Sequence, residues 1–129
     1  MKSLSAYTND ALTQLFNESG AFFAFSQQQF EEKKKEGVTY CSLGGGLIAP
    51  KEASNSVVEG IENISKKGIE QDLAENGRRA IIKRELMNYE CFYTGRITDC
   101  VEALEDYGIK ADEIRSVYCD MLANDEVDL

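Results

Sequence analysis

Three consecutive glycines, Gly44, Gly45 and Gly46, form the segment whose residue types could most directly bind a ligand. Glycine adopts positive φ without steric cost, so successive backbone N–H groups can converge on an anion. Lys51 follows five residues later and would add a positive charge. The spacing matches neither the GxGxxG fingerprint nor the Walker A motif. Segment 42–51 therefore predicts first a hairpin turn and, as the alternative, an anion-binding loop.

A basic cluster is the second candidate binding site. It consists of Arg78, Arg79, Lys83 and Arg84, all within one predicted helix. Glu75 precedes Arg79 by four residues, which is typical of a salt-bridged helix surface facing solvent. The alternative for Arg78 and Arg79 is contact with the acidic C-terminal part of the chain, either in the same molecule or in a second copy.

Catalytic chemistry has little support in the residue types. The sequence contains no histidine, so a cysteine nucleophile would lack its usual base. Burial could tune the carboxyl groups of Glu75, Glu85 or Glu90 for acid–base work, but their spacing singles out no pair. We therefore predict no catalytic residue and no cofactor, and an enzymatic role is less expected than a binding role.

The four cysteines indicate the compartment rather than a site. Cys41, Cys91, Cys100 and Cys119 contain no CxxC element, so they predict neither a zinc site nor a disulfide framework. Residues 1–9 are polar and lack the apolar stretch of a secretory leader. We expect free thiols in a reducing cytoplasm, and no membrane association, because no stretch approaches about 20 apolar residues.

The net charge of −9 is unevenly distributed. Residues 97–129 carry ten acidic and two basic side chains, whereas residues 1–96 carry thirteen acidic and twelve basic ones. Binding of nucleic acid depends on lysine and arginine against phosphate, so nucleic acid is not the expected partner. A protein partner is compatible with this charge distribution.

A change of pattern at Pro50 predicts the fold class. Strand-like segments at 21–25, 38–43 and 47–49 precede it, together with predicted helices at 8–19 and 27–36. Four predicted helices follow, at 51–67, 69–93, 98–107 and 111–122, with glycines as stops. Ser26 and Gln29 predict a capping box at the start of helix 27–36. Thr98 is the predicted cap of the helix that ends at 107, and Gly108 with Ile109 predicts a Schellman ending for that helix. The connection between the first two strands allows either a parallel crossover or an antiparallel arrangement. We predict a single domain, 1–129, of the α+β class, mostly helical, with a small N-terminal sheet packed on a bundle of about four C-terminal helices.

The predicted helix 69–93 has two apolar faces. One contains Ile69, Leu73, Ala80, Met87 and Cys91, and the other contains Ile82, Leu86, Tyr89 and Tyr93. A helix of this kind lies centrally or contributes one face to an oligomer. We predict a homodimer through residues 69–93, with a monomer as the alternative.

Segments 20–26, 42–51 and 68–95 together resemble small uncharacterised proteins of bacteriophages and mobile elements. The resemblance covers most of the chain, and it transfers no activity and no site residue. It implies a cytoplasmic accessory protein, such as a binder of a host factor or an anti-defence protein. The function expected from the sequence is therefore a non-enzymatic protein interaction. The alternative is a small-ligand or nucleotide-binding protein that uses the glycine-rich loop 42–51.

Overall fold

The computed structural model describes residues 2–124 and 126–127. Within them the α-helices are α1 (Leu4–Ser19), α2 (Gln27–Lys33), α3 (Ser54–Asn88), α4 (Cys91–Thr94), α5 (Thr98–Ala103) and α6 (Ala111–Ala123). The strands are β1 (Phe22–Phe23), β2 (Tyr40–Gly44) and β3 (Leu47–Pro50), and 3₁₀ turns occupy Lys51–Ala53 and Glu105–Tyr107. The predicted fold class, a mostly helical α+β protein, is confirmed. The chain divides into two compact units, Lys2–Gly68 and Ile69–Leu129, and the single domain stays a prediction.

The sheet of the first unit has the order β1-β3-β2, with both pairings antiparallel. Phe22 lies opposite Ile48 in one pairing, and Cys41 lies opposite Ala49 in the other. The two strands joined through α2 therefore flank β3 and do not pair with each other. Because β1 and β2 are each antiparallel to β3, they run in the same direction, and the connection through α2 has the sense of a parallel crossover with β3 between the two strands.

The glycine run makes the turn between β2 and β3. Gly45 and Gly46 have φ values of 61° and 84°, and a two-residue hairpin turn of type I′ requires positive φ at both positions. Gly44, at φ 96°, takes up a shift in the strand register. The predicted hairpin turn is confirmed. A Cβ atom on Gly46 would collide with the ring of Phe25, so this position needs glycine for space as well as for conformation.

Two glycines of α3 bring it close to α1. A Cβ atom on Gly60 would lie 2.9 Å from Leu15 Cδ1, and one on Gly68 would lie 2.5 Å from Thr8 Cγ2. Both distances are shorter than ordinary contacts, so a larger residue at either position would force the Leu15 or Thr8 side chain to shift. The prediction that a helix ends at Gly68 was wrong, because α3 continues through Gly68 and is interrupted instead at Gly77, whose backbone is not helical. This glycine serves packing between helices and does not end one.

The start of α2 follows the predicted capping box. Ser26 Oγ accepts a hydrogen bond from the Gln29 N–H at 3.2 Å, and Gln29 Oε1 accepts one from the Phe25 N–H at 2.8 Å. The helix ends at Lys33, three residues earlier than predicted. Lys33 Nζ reaches back and donates to the backbone oxygen of Phe23 at 2.6 Å.

The core of the first unit is small. Its buried residues are Ala21, Leu47, Ala49 and Val57, and Phe16, Leu43, Ala53 and Ile61 pack against them while remaining partly exposed. Two of the four buried side chains are alanines, so this unit buries little aliphatic surface and depends on aromatic contacts around it.

The core of the second unit is larger. Its buried apolar residues are Ile81, Ile82, Leu86, Cys91, Cys100, Leu104, Tyr107, Ile109, Ile114, Val117 and Met121. The burial of Leu86 agrees with its predicted face of the long helix. Met87 and Tyr93, however, are 50% and 86% exposed. Neither predicted face is therefore fully covered within the described residues.

One chain reversal of the second unit depends on a glycine outside the helical conformation. Gly108, at φ 72°, ends the 3₁₀ turn, and the bonds from Gly108 N to Glu105 O and from Ile109 N to Leu104 O complete the predicted Schellman ending. Thr98 was predicted to cap α5, but the cap position belongs to Ile97 and Thr98 is the first helical residue.

Candidate functional site

A groove runs between α1 and β1 in the first unit, and we call it the α1–β1 groove. It has a volume of about 520 Å³ and is lined by Asn9, Leu12, Thr13, Phe16, Asn17, Ala21, Phe22 and Phe23. None of these side chains carries a charge. The lining combines apolar side chains with two amides and a hydroxyl, which suits a partner without charge at this point.

A row of aromatic rings borders the groove. The rings of Phe16 and Phe23 meet edge to face with centroids 5.6 Å apart, and those of Phe23 and Phe25 stack at 6.1 Å. Phe23 is 42% exposed and Phe25 is 73% exposed. Large apolar rings in water are unfavourable unless another surface covers them, so this row is a candidate contact surface.

The alternation of side chains along β1 explains why only some of these rings face solvent. Phe22 points to the opposite face of the strand from Phe23. There it packs with Phe30 and Tyr40, at centroid distances of 6.2 Å and 5.4 Å, and these two rings also meet each other at 5.7 Å. On one side of β1, Phe22 therefore completes an aromatic cluster with Phe30 and Tyr40. On the other side, Phe23 remains half exposed.

The residues predicted to bind an anion lie at opposite ends of the hairpin. Gly44, Gly45 and Gly46 form its turn, whereas Lys51 follows the far end of β3. Four strand residues separate them, a span of about 13 Å. The backbone N–H of Lys51 donates to Thr39 O at 2.8 Å. The structure does not bring the glycines and Lys51 together.

The predicted basic cluster is engaged within the second unit. Arg78 donates to Glu113 at 2.5 Å and to the backbone oxygen of Gly108 at 3.2 Å. Arg79 pairs with Asp120 at 3.4 Å, and Lys83 pairs with Glu126 at 2.7 Å. The contact with the acidic C-terminal part, which the sequence left between one molecule and two, is present within the molecule.

A buried polar cluster surrounds Asp72, whose side chain is fully buried. Arg84 donates to both carboxylate oxygens at 2.9 Å. The hydroxyl of Tyr107 donates at 2.5 Å and the amide of Asn76 at 2.8 Å. Arg84 also donates to Glu85 at 2.7 Å. The Asp72 carboxylate thus accepts four hydrogen bonds in a setting that water does not reach.

These contacts fix the protonation states of the cluster. Burial on its own raises the pKa of Asp72, but hydrogen bonds from Arg84, Tyr107 and Asn76 outweigh it and hold that pKa below its usual value. Burial and the neighbouring carboxylate raise the pKa of Tyr107. Hydrogen bonds to Asp72 and Glu85 raise the pKa of Arg84 against the effect of burial. A carboxylate held in this way is a structural anion and not a poised general base.

The Asp72–Arg84 pair can form only because α3 is sharply bent between the two residues. Residues twelve apart in a straight helix are separated by about 18 Å along the axis, which the arginine side chain does not span. The bend lies at Gly77, whose φ of 78° and ψ of 162° are not helical. The prediction that grouped Arg84 with the exposed bases assumed an unbroken helix, so it did not place this residue beside Asp72.

The remaining candidates for reactive chemistry are spread out or inert. Glu85 belongs to the buried cluster, whereas Glu75 and Glu90 are exposed. The four cysteines are free thiols. Burial raises the pKa of Cys100 to about 12 and also raises that of Cys91, so both stay protonated at neutral pH and are poor nucleophiles.

Within residues 2–124 and 126–127, no group of three or more histidine, cysteine or acidic side chains is placed to hold a metal ion. No helix in this part of the chain is both long and apolar enough to cross a membrane.

The described chain is thus a mostly helical α+β protein with an uncharged groove bordered by exposed aromatic rings. It belongs to a family of unknown function, DUF7659, whose model matches residues 4–124. No curated protein and no solved structure matches the chain.

Proposed function

We propose that the protein is a non-enzymatic binding protein that recognises another protein through the α1–β1 groove. The observation that carries this proposal is the row of rings from Phe16 through Phe23 to Phe25. Its last two members remain 42% and 73% exposed beside a groove without charged lining.

The composition of this surface supports the proposal. The cores of protein interfaces are enriched in aromatic residues and depleted of charge. A few aromatic anchors next to a pocket account for most of the binding energy in many complexes. Phe25 also lies against Gly46 of the hairpin turn, so the ring is held in place before a partner arrives, and less conformational entropy is lost on binding.

The alternative function expected from the sequence, a small-ligand site on segment 42–51, has weaker support. The glycines are occupied in forming the hairpin turn, and Lys51 lies at the other end of β3. Arg78 and Arg79 give it no support either, because their guanidinium groups already pair with Glu113 and Asp120.

Affinity capture from the native host tests the proposed surface. Wild type is compared with Phe23→Ser and Phe25→Ser, and the bound proteins are quantified by mass spectrometry. Loss of one of these rings is expected to weaken binding by 2 kcal/mol or more, about 30-fold, so that the captured partner disappears.

Val58→Ser is the matched control, because Val58 in α3 is 41% exposed and lies outside the groove. It is expected to retain the partner. Each variant is first shown to melt cooperatively. Equal capture by all four proteins would contradict a binding role of the α1–β1 groove.

Narrower proposals concern the setting. The resemblance to phage and mobile-element proteins supports a host factor or a defence protein as the partner, and a cytoplasmic location. A homodimer through residues 69–93 is supported by the exposed side chains of Met87, Tyr89 and Tyr93. Light scattering at micromolar concentration tests the dimer, and a constant mass of 14.4 kDa would contradict it.

A further inference from the structure

We infer that the α1–β1 groove binds an extended, uncharged stretch of polypeptide by its backbone, with Asn9 and Asn17 as the recognising side chains. This inference rests on the proposed function and names the chemical form of the partner segment. The groove is then selective for backbone conformation and for absence of charge.

The polar lining has a regular spacing. Asn9, Thr13 and Asn17 follow one another at four-residue intervals on α1, so their side chains form one line along the helix. All three are exposed, and within the described part of the chain none of these side chains forms a hydrogen bond. A primary amide offers a donor and an acceptor together, which is the complement of a peptide unit.

The spacing matches an extended chain. Positions four apart on a helix are separated by about 6 Å along the axis. Two residues of an extended strand cover about 6.7 Å. From Asn9 to Asn17 the helix advances about 12 Å, against about 13 Å for four extended residues. Side-chain rotation absorbs a difference of this size, so both amides can meet peptide units of the same segment.

The apolar lining provides for the side chains of such a segment. Leu12, Phe16 and Phe23 line the same groove as the amides. Every second side chain of an extended segment points to the same side. One set would enter the groove against these three residues, and the other set would face solvent.

Two observations decide against other occupants. No charged side chain lines the groove, so a charged segment would lose hydration there without gaining an ion pair. Addition of a strand to β1 is disfavoured because β1 has only two residues and its Phe23 carbonyl already accepts from Lys33 Nζ.

The test is selection from a display library of random short peptides, followed by titration of selected peptides into isotope-labelled protein. We expect enrichment of segments without charge, and movement of the side-chain amide signals of Asn9 and Asn17 on binding. Methylation of alternate backbone nitrogens of a selected peptide should reduce its affinity at least tenfold, because the removed N–H groups can no longer donate to these amides.

Asn9→Leu and Asn17→Leu should each reduce affinity about tenfold, since each removes a pair of hydrogen bonds. Asn63→Leu, at an exposed asparagine of α3 outside the groove, is the matched control and should bind as wild type does. Selection of charged or helical peptides only, or of no peptide at all, would overturn the inference. So would unchanged affinity in both groove variants. If Phe25→Ser abolishes partner capture while both asparagine variants retain it, the proposed function stands and this inference fails.

Discussion

The two units of this molecule use their side chains differently. Residues 69–129 carry fifteen acidic and seven basic side chains, and residues 1–68 carry eight and seven. In the acidic unit Arg78, Arg79, Lys83 and Arg84 all form ion pairs with carboxylates of that same unit. In the nearly neutral unit, amides and aromatic rings along α1 and β1 remain exposed and without such partners.

This difference bears on where binding takes place. Breaking the buried Asp72–Arg84 pair to bind a partner would be unfavourable, whereas the solvent-exposed pairs of Arg78 and Arg79 stabilise their unit only weakly. An exposed aromatic row beside an uncharged groove meets no such cost. Under the proposed function, recognition falls to residues 2–68, although charge alone would have drawn attention to the acidic part.

The largest expected effect on stability tests whether the buried Asp72–Arg84 pair stabilises the second unit. Asp72→Ala leaves Arg84 partly buried without its bidentate partner, and the free energy of unfolding should fall by about 3–5 kcal/mol. Chemical denaturation measures it. Asp112→Ala is the control, because Asp112 is fully exposed in its pair with Arg115, and its effect should stay below about 1 kcal/mol. Equal, small losses in both variants would show that the buried cluster does not stabilise the unit.

The pH dependence of the stability lost in Asp72→Asn tests whether Asp72 is ionised in the folded protein. The pKa of Asp72 is lowered in the folded protein, so its stabilising effect is present above the unfolded value of about 3.9 and disappears as pH falls through the folded value. The stability difference between wild type and Asp72→Asn should be constant above about pH 5 and shrink below pH 4. A difference that grows on acidification would contradict the assigned ionisation.

Leu86→Ala tests the aliphatic core of the second unit. Leu86 is fully buried, and the truncation should reduce stability by about 2–5 kcal/mol through lost burial and a residual cavity. Leu122→Ala, at a position 43% exposed, makes the same change at the surface and should lower stability by less than about 1 kcal/mol. A loss below about 1 kcal/mol at Leu86 would mean that this part of α3 is not central.

Gly77→Ala tests the bend that lets Asp72 meet Arg84. Nothing lies within 4 Å of the added Cβ, so the expected loss of about 1–3 kcal/mol comes from the backbone conformation alone, which is essentially restricted to glycine. Thermal unfolding measures it. An unchanged or higher midpoint would show that α3 can straighten without loss, and that the bend does not depend on glycine.

The smallest expected effect is an increase in stability. Glu90 precedes α4 in the left-handed conformation, at φ 55°, which is strained for a residue with a Cβ atom. Glu90→Gly should raise stability by about 1 kcal/mol, while Glu90→Ala should change it little. An equal gain in both variants would point to the charge of Glu90 and not to its backbone.

Local signals in the sequence were sufficient for part of the fold. The hairpin turn at Gly45 and Gly46 and the capping box of Ser26 and Gln29 depend on residues next to each other, and both were predicted. Gly68 and Gly77 show the limit. Gly68 packs against Thr8 within a helical part of α3, and Gly77 interrupts α3 nine residues later. Only tertiary contacts distinguish them, so the predicted stop was placed at the wrong glycine.

The candidate groove was missed for a similar reason. The sequence shows phenylalanines at 22, 23 and 25, but it does not show which of them face solvent. That depends on the register of Phe22 with Ile48 and on the packing of Phe30 and Tyr40 over one face. The uncharged stripe of Asn9, Thr13 and Asn17 was visible in α1, and its four-residue spacing beside an aromatic strand is the signal that could have located the groove.

Site-specific photo-crosslinking in the native host tests the central claim most directly. A photoreactive phenylalanine analogue replaces either Phe25, beside the groove, or Tyr93, which is 86% exposed in the other unit. Recognition through the α1–β1 groove predicts that position 25 yields a discrete covalent adduct with another protein and that position 93 does not. Since an adduct between two copies of this chain at position 93 would report only the proposed dimer, the contradicting results are an adduct with a different protein at position 93 alone, or no adduct with a different protein at either position.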